Sequence, residues 1–206
     1  MSRLPLVLAL SIAPATLAGR AHAGGGALPP LELELGQSAI STPGGPDRAA
    51  TEVLVGLSFA SLYPKPTPVD VSLGWMGSFV PDEDEAGPGT PAIERGSRPG
   101  GWQPRDASGA FVALDLRAAA GRHWRAWLGG RGELLATEGV GVLGGFGRAA
   151  IELWHPVAAG GGGGGIIGTI ALSAWMEVGA RERPDRSLAR VASAGLGLRL
   201  PLIAGH

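Results

Sequence analysis

The chain has no cysteine in 206 residues. That excludes disulfides, thiolate nucleophiles and a cysteine-borne lipid anchor. Of its 17 basic residues only Lys65 is a lysine, and charged residues are 17% of the sequence, against about 25% in an ordinary soluble domain. The formal net charge is −1, and with no basic excess to neutralise phosphates the chain is not read as a nucleic-acid binder. Apolar runs long enough for a membrane helix are also missing after residue 23. The longest uncharged run, Pro156 to Met176, carries six consecutive glycines from Gly160 to Gly165, each costing roughly 1 kcal/mol in a helix relative to alanine. Only Ile166 to Met176 remains, eleven residues, where a spanning helix needs about 20.

What is present begins with an export signal. Arg3 gives a small positive start, Leu4 to Leu17 is apolar, and Ala21-His22-Ala23 is a small-x-small cleavage site before Gly24. Residues 1–23 are therefore read as a signal peptide and 24–206 as one domain. Removing Arg3 and Arg20 leaves 15 basic against 18 acidic side chains, a charge of about −3 by the usual counting. An exported, apolar chain with 36 glycines and no spanning helix is left with the other structure a bilayer permits, a closed β-barrel.

The alternation agrees. In Val69 to Val80, VDVSLGWMGSFV, Val69, Val71, Leu73, Trp75, Gly77 and Phe79 share one face, and Asp70, Ser72, Gly74, Met76, Ser78 and Val80 the other. The same period is read in residues 31–41, 51–63, 109–120, 125–137, 145–155, 166–180 and 188–202. Between them lie turn formers: Thr42 to Asp47, the prolines 64, 66 and 68, Gly121-Arg122-His123, and the charged segment Arg181 to Ser187. Residues 24–30 are expected to be a lead, 81–107 a long loop and 138–143 a connection. Eight strands without intervening helices predict an all-β, eight-stranded up-and-down antiparallel transmembrane β-barrel.

Charge decides the facing. One face of each strand is nearly free of ionisable groups, and the other carries Glu32, Glu34, Glu52, Asp70, Asp115, Glu133, Glu152 and Glu177 with Arg117, Arg131, Arg148 and Arg199. An arginine on a lipid-facing surface costs about 2–4 kcal/mol at the bilayer midplane. An eight-stranded lumen is just wide enough for side chains to fill. The twelve groups are therefore expected inside as ion pairs, and Tyr63, Trp75, Phe79, Trp124 and Trp154 are expected as interface aromatics.

This pattern resembles the small eight-stranded outer-membrane barrels of Gram-negative bacteria, of the OmpA transmembrane domain and OmpX type, over residues 31–202. Those proteins generally finish on an aromatic residue, whereas this sequence finishes Leu202-Ile203-Ala204-Gly205-His206. The resemblance implies an outer-membrane location and contact with the lipid bilayer and lipopolysaccharide. It also implies insertion by the barrel-assembly machinery, a monomeric state, and a structural or surface-interaction role.

Chemistry beyond that has little to stand on. His123, His155 and His206 lack the cysteine or spaced carboxylate of a zinc site, and Asp82 to Glu85 lacks the ligand spacing of a calcium loop. The glycine run has no Gly-Lys-Ser/Thr ending and so is not a phosphate loop. No serine is placed with a histidine and an orienting carboxylate. No catalysis, metal or cofactor is expected. Two alternatives stay open: a soluble periplasmic, lipocalin-like barrel binding a small apolar ligand, and a narrow solute channel.

Overall fold

Strict alternation makes each segment a ribbon with two unlike faces, and eight such ribbons bury their polar faces together by curling into a cylinder. The computed structural model describes residues 28–41, 47–59, 68–81, 105–158 and 166–202. Its strands are Leu28–Ser41 (β1), Arg48–Ser58 (β2), Val69–Phe79 (β3), Ala107–Ala120 (β4), Trp124–Thr137 (β5), Val140–Ala158 (β6), Ile166–Glu182 (β7) and Leu188–Leu202 (β8). Each pairs antiparallel with the next, and β8 returns to β1, so the sheet is a closed up-and-down barrel. No helix occurs among the described residues. The signal segment 1–23, Tyr63, Lys65, Asp82 to Glu85, the glycine run 160–165 and His206 lie outside the described residues.

The strand boundaries depart from the sequence expectation where proline or glycine obscured the period. β1 begins at Leu28, not Leu31, and its Pro29-Pro30 pair falls where the register against β8 shifts between Leu28 and Leu31. A proline offers no N–H to a ladder and is tolerated at such an irregularity. The expected connection 138–143 is corrected to two residues: β6 starts at Val140, and Glu138 and Gly139 form a hairpin turn with φ of 50° and 77°. Two consecutive positive φ values match the twist of the flanking strands, and glycine accepts that conformation without steric cost. The segment expected as a turn from Arg181 is also shortened, because β7 continues to Glu182 and carries Arg181 on its inward face. Pro156 belongs to β6, opposite Thr169 and just before a register shift at Val157/Ala158.

The cylinder is inverted relative to a soluble fold. Leu35, Leu114, Leu128, Ile151, Leu172, Met176 and Leu196 are among the large apolar side chains exposed on its outside. Inside, Leu54, Met76, Phe111, Leu135 and Val142 line one wall, while Ile40, Phe146, Ala189 and Val191 gather near the end bearing the β7–β8 turn.

Candidate functional site

The inward positions of the strands converge on a buried ionic network, the chemically distinctive part of the molecule. Among the described residues five arginines (125, 131, 148, 181 and 199) and eight carboxylates (Glu32, Glu34, Glu52, Asp70, Asp115, Glu133, Glu152 and Glu177) are buried. They form two groups along the barrel.

The first group lies toward the end bearing the β4–β5 turn. Arg199 on β8 donates through Nη2 to Glu32 at 2.9 Å and to Asp70 at 2.7 Å, and its Nη1 is 3.0 Å from Glu152. Asp70 also accepts from the Ser58 hydroxyl at 2.8 Å. Glu152 in turn meets Nε of Arg125 at 2.9 Å.

The second group fills the middle and the opposite end. Arg148 on β6 grips both oxygens of Glu34, with Nη1 to Oε2 at 3.0 Å, while donating to Glu177 at 2.9 Å and lying 3.4 Å from Asp115. Arg131 on β5 reaches Glu177 at 2.6 Å, Glu52 at 3.4 Å and Glu133 at 3.5 Å. Arg181 on β7 is held by Glu133 and bonds Glu52 and Ser78, each at 3.2 Å. Bidentate, multiply bonded pairs of this sort are the form in which buried charge is tolerable.

Aromatic rings complete the setting of four of the five buried arginines. The guanidinium of Arg125 stands 5.0 Å over Trp154 and 5.9 Å over Trp127, that of Arg148 is 5.5 Å over Trp175, and those of Arg131 and Arg181 are 4.7 Å and 5.9 Å over Phe146. A cation over a ring face leaves its planar edge free for carboxylates, which arginine exploits better than lysine. The indole N–H groups of Trp127, Trp154 and Trp175 are buried without a hydrogen-bond partner among the described residues.

No family model, curated protein or solved structure matches this chain. What the site can do is therefore read from its geometry.

Several pairs reach across the cylinder: Arg131 on β5 to Glu52 on β2, Arg199 on β8 to Asp70 on β3, and Arg148 on β6 to Glu34 on β1. Each joins strands three places apart in a ring of eight. Side chains thus cross the bore at successive heights. Under the end bearing the β7–β8 turn, a void lined by Ile40, Thr137, Val142 and Arg181 measures about 20 Å³, room for about one water.

Eleven of the twelve ion-pair candidates make the contacts described above. Arg117, the twelfth, lies half-buried on the same face as Asp115, and its backbone N–H bonds the Pro68 carbonyl at 2.8 Å. Trp75, Phe79 and Trp124 are exposed on the outside. Trp154 is corrected: it faces inward under Arg125, because it shares parity with Arg148 and Glu152. His123 packs against it, ring centroids 6.0 Å apart. No group of three His, Asp or Glu residues is arranged to hold a metal among the described residues.

Arg125 and Arg181 were missed by sequence reasoning. The signal for Arg125 was the Arg125-Ala126-Trp127 spacing, repeated in reverse as Phe146-Gly147-Arg148: an arginine and an aromatic two apart share a strand face. For Arg181 it was the unbroken parity from Glu177 through Gly179.

Proposed function

We propose that the chain is an outer-membrane β-barrel protein of a Gram-negative bacterium, exported through a cleaved signal peptide and closed by its own ion pairs. Its role is structural or one of surface interaction, without catalysis. The observation that carries this reading is the inversion of polarity. Among the described residues the outward strand positions bear only two charged groups, Glu182 and Arg190, both beside the β7–β8 turn, while five arginines and eight carboxylates are buried inside. Water would demand the reverse, whereas acyl chains penalise each outward arginine by about 2–4 kcal/mol at the midplane. Phe79 and Trp124, exposed at strand ends on opposite rims, suit the boundary between hydrocarbon and headgroups.

A soluble ligand-binding barrel would want an apolar cavity and a charged exterior. A conducting pore would want an open bore, where this one is crossed by Arg131–Glu52, Arg148–Glu34 and Arg199–Asp70. Surface interaction would fall to the connections between strands, since loops on rigid scaffolds carry recognition.

Fractionation of expressing cells tests the reading. The protein is expected in the outer-membrane fraction, resistant to urea washing and released by detergent, and to migrate differently on gels before and after boiling. Recovery in the periplasmic fraction overturns it. Steady single-channel conductance in planar bilayers overturns the closed lumen.

A further inference from the structure

Thr137 ends β5 on the inward face and is 5% exposed. Its Oγ1 has no hydrogen-bond partner among the described residues. A buried hydroxyl left over in this way calls for a partner of another kind, an ion or an ordered water. The void under the end bearing the β7–β8 turn offers the place, since Thr137 lines it.

The other polar walls of this void are mostly cationic. Arg105 just before β4, Arg181 on β7 and Arg183 just after β7 border it, and the one carboxylate among its lining residues is Glu182. Glu182 is itself engaged by Arg186, with Nη1 to Oε2 at 2.9 Å. The carboxylates that hold the three arginines stand outside the void. Glu138 meets Arg105 at 2.9 Å, Asp185 meets Arg183 at 2.8 Å, and Glu52 and Glu133 hold Arg181; none of these four is a lining residue. Ile40 and Val142 belong to the remaining, apolar lining. In such weakly polarisable surroundings the cations attract an anion more strongly than they would in water.

Size and donor set select the ion. The void measures about 20 Å³, room for one water-sized body and too little for a phosphate, a carboxylate or a lipid headgroup. Hydroxyl and guanidinium groups donate hydrogen bonds. A halide accepts from all of them, whereas a water of the same size brings hydrogens of its own and no charge.

We propose that this void is a binding site for a single halide ion, chloride under ordinary conditions, held by the Thr137 hydroxyl and the guanidinium groups of Arg105, Arg181 and Arg183. The ion joins β5, β7 and the segment entering β4 at one rim. The site goes beyond the outer-membrane reading and does not depend on it, because it is made within the cylinder whatever bathes the outside.

The test adds sodium bromide to the detergent-extracted full chain, with sodium gluconate, whose anion is too large for the void, holding the ionic strength constant. Thermal unfolding is followed, and crystals grown in bromide are searched by anomalous diffraction. The unfolding midpoint is expected to rise with bromide, as binding to the folded state requires, and one bromide is expected beside Thr137. Thr137→Val keeps the shape of the side chain without its hydroxyl and should weaken bromide binding about tenfold, as the loss of one hydrogen bond to a charged group does. Arg105→Gln changes a side chain that is 69% exposed, so it spares the fold, and it should weaken binding as well. Arg122→Gln removes an exposed cation at the opposite rim and should leave binding unchanged. Water alone in the void, adventitious bromide only at exposed arginines, or an equal bromide response in wild type and either of the first two variants overturns the site. None of these outcomes bears on the membrane reading, which stands or falls on fractionation.

Discussion

Arg131 and Glu177 meet at 2.6 Å with neither side chain exposed to solvent. The same guanidinium serves Glu52 and Glu133, so one cation sits among three carboxylates. Removing one member of a buried ionic set leaves uncompensated charge, and costs about 3–5 kcal/mol. Arg131→Met is therefore expected to lower stability by that amount in urea unfolding from lipid vesicles. Adding Glu177→Gln should recover part of the loss. A cost below about 1 kcal/mol, as at an exposed pair, would show that water has replaced the arginine.

A second relationship fixes the lumen's shape. Trp175 lies over two glycines of neighbouring strands: a Cβ built on Gly36 falls 2.6 Å from its Cη2, and one on Gly195 falls 2.6 Å from its Cζ2. Backbone also closes in, with Ala194 O at 2.8 Å from the Gly36 position. Gly36→Val is expected to cost about 1–3 kcal/mol as overpacking. Pairing it with Trp175→Leu should return part of that, the Ala194 backbone contact remaining, a coupling that a double-mutant cycle measures.

Much of this was legible beforehand because a period of two is a strong signal when the two faces differ in charge. The strand count, the parity of every charged group on β1 to β4 except Arg48, and the closure all follow from alternation and an unfilled need for burial. What failed has specific causes. Gly141, Gly144 and Gly145 present no side chain to mark a face, so the start of β6 read as a connection. Arg181 stood next to Glu182 and Arg183, and a charge cluster reads as a turn. Which arginine meets which carboxylate was not legible at all, because partners such as Arg199 and Asp70 lie 129 residues apart and their meeting depends on the summed registers of the intervening strands.

The outward surface makes a depth-dependent prediction. Leu114 is central in β4, and Leu188 is the first residue of β8; both are exposed. In vesicles Leu114→Arg should cost about 2–4 kcal/mol and Leu188→Arg about 0–1 kcal/mol. Equal and negligible costs would mean that water, not lipid, bathes the outside.

Tryptophan fluorescence offers an independent check. Trp75 and Trp124 are exposed on the outer wall, whereas Trp127 and Trp175 are buried within. In variants retaining one tryptophan each, brominated phospholipids should quench the first two strongly and the second two weakly. Similar quenching of all four would remove the assignment of faces.

The pairing of β1 with β8 joins Leu31 to Leu200 and Ile40 to Val191, so the two ends of the sheet become neighbours only when the last strand has been made. Until then the first and seventh strands are raw borders, each with a row of unanswered amide groups. A ribosome-bound chain short of residue 188 therefore has no finished cylinder available to it. The ring can shut only where residues 31–40 and 191–200 are both free to meet.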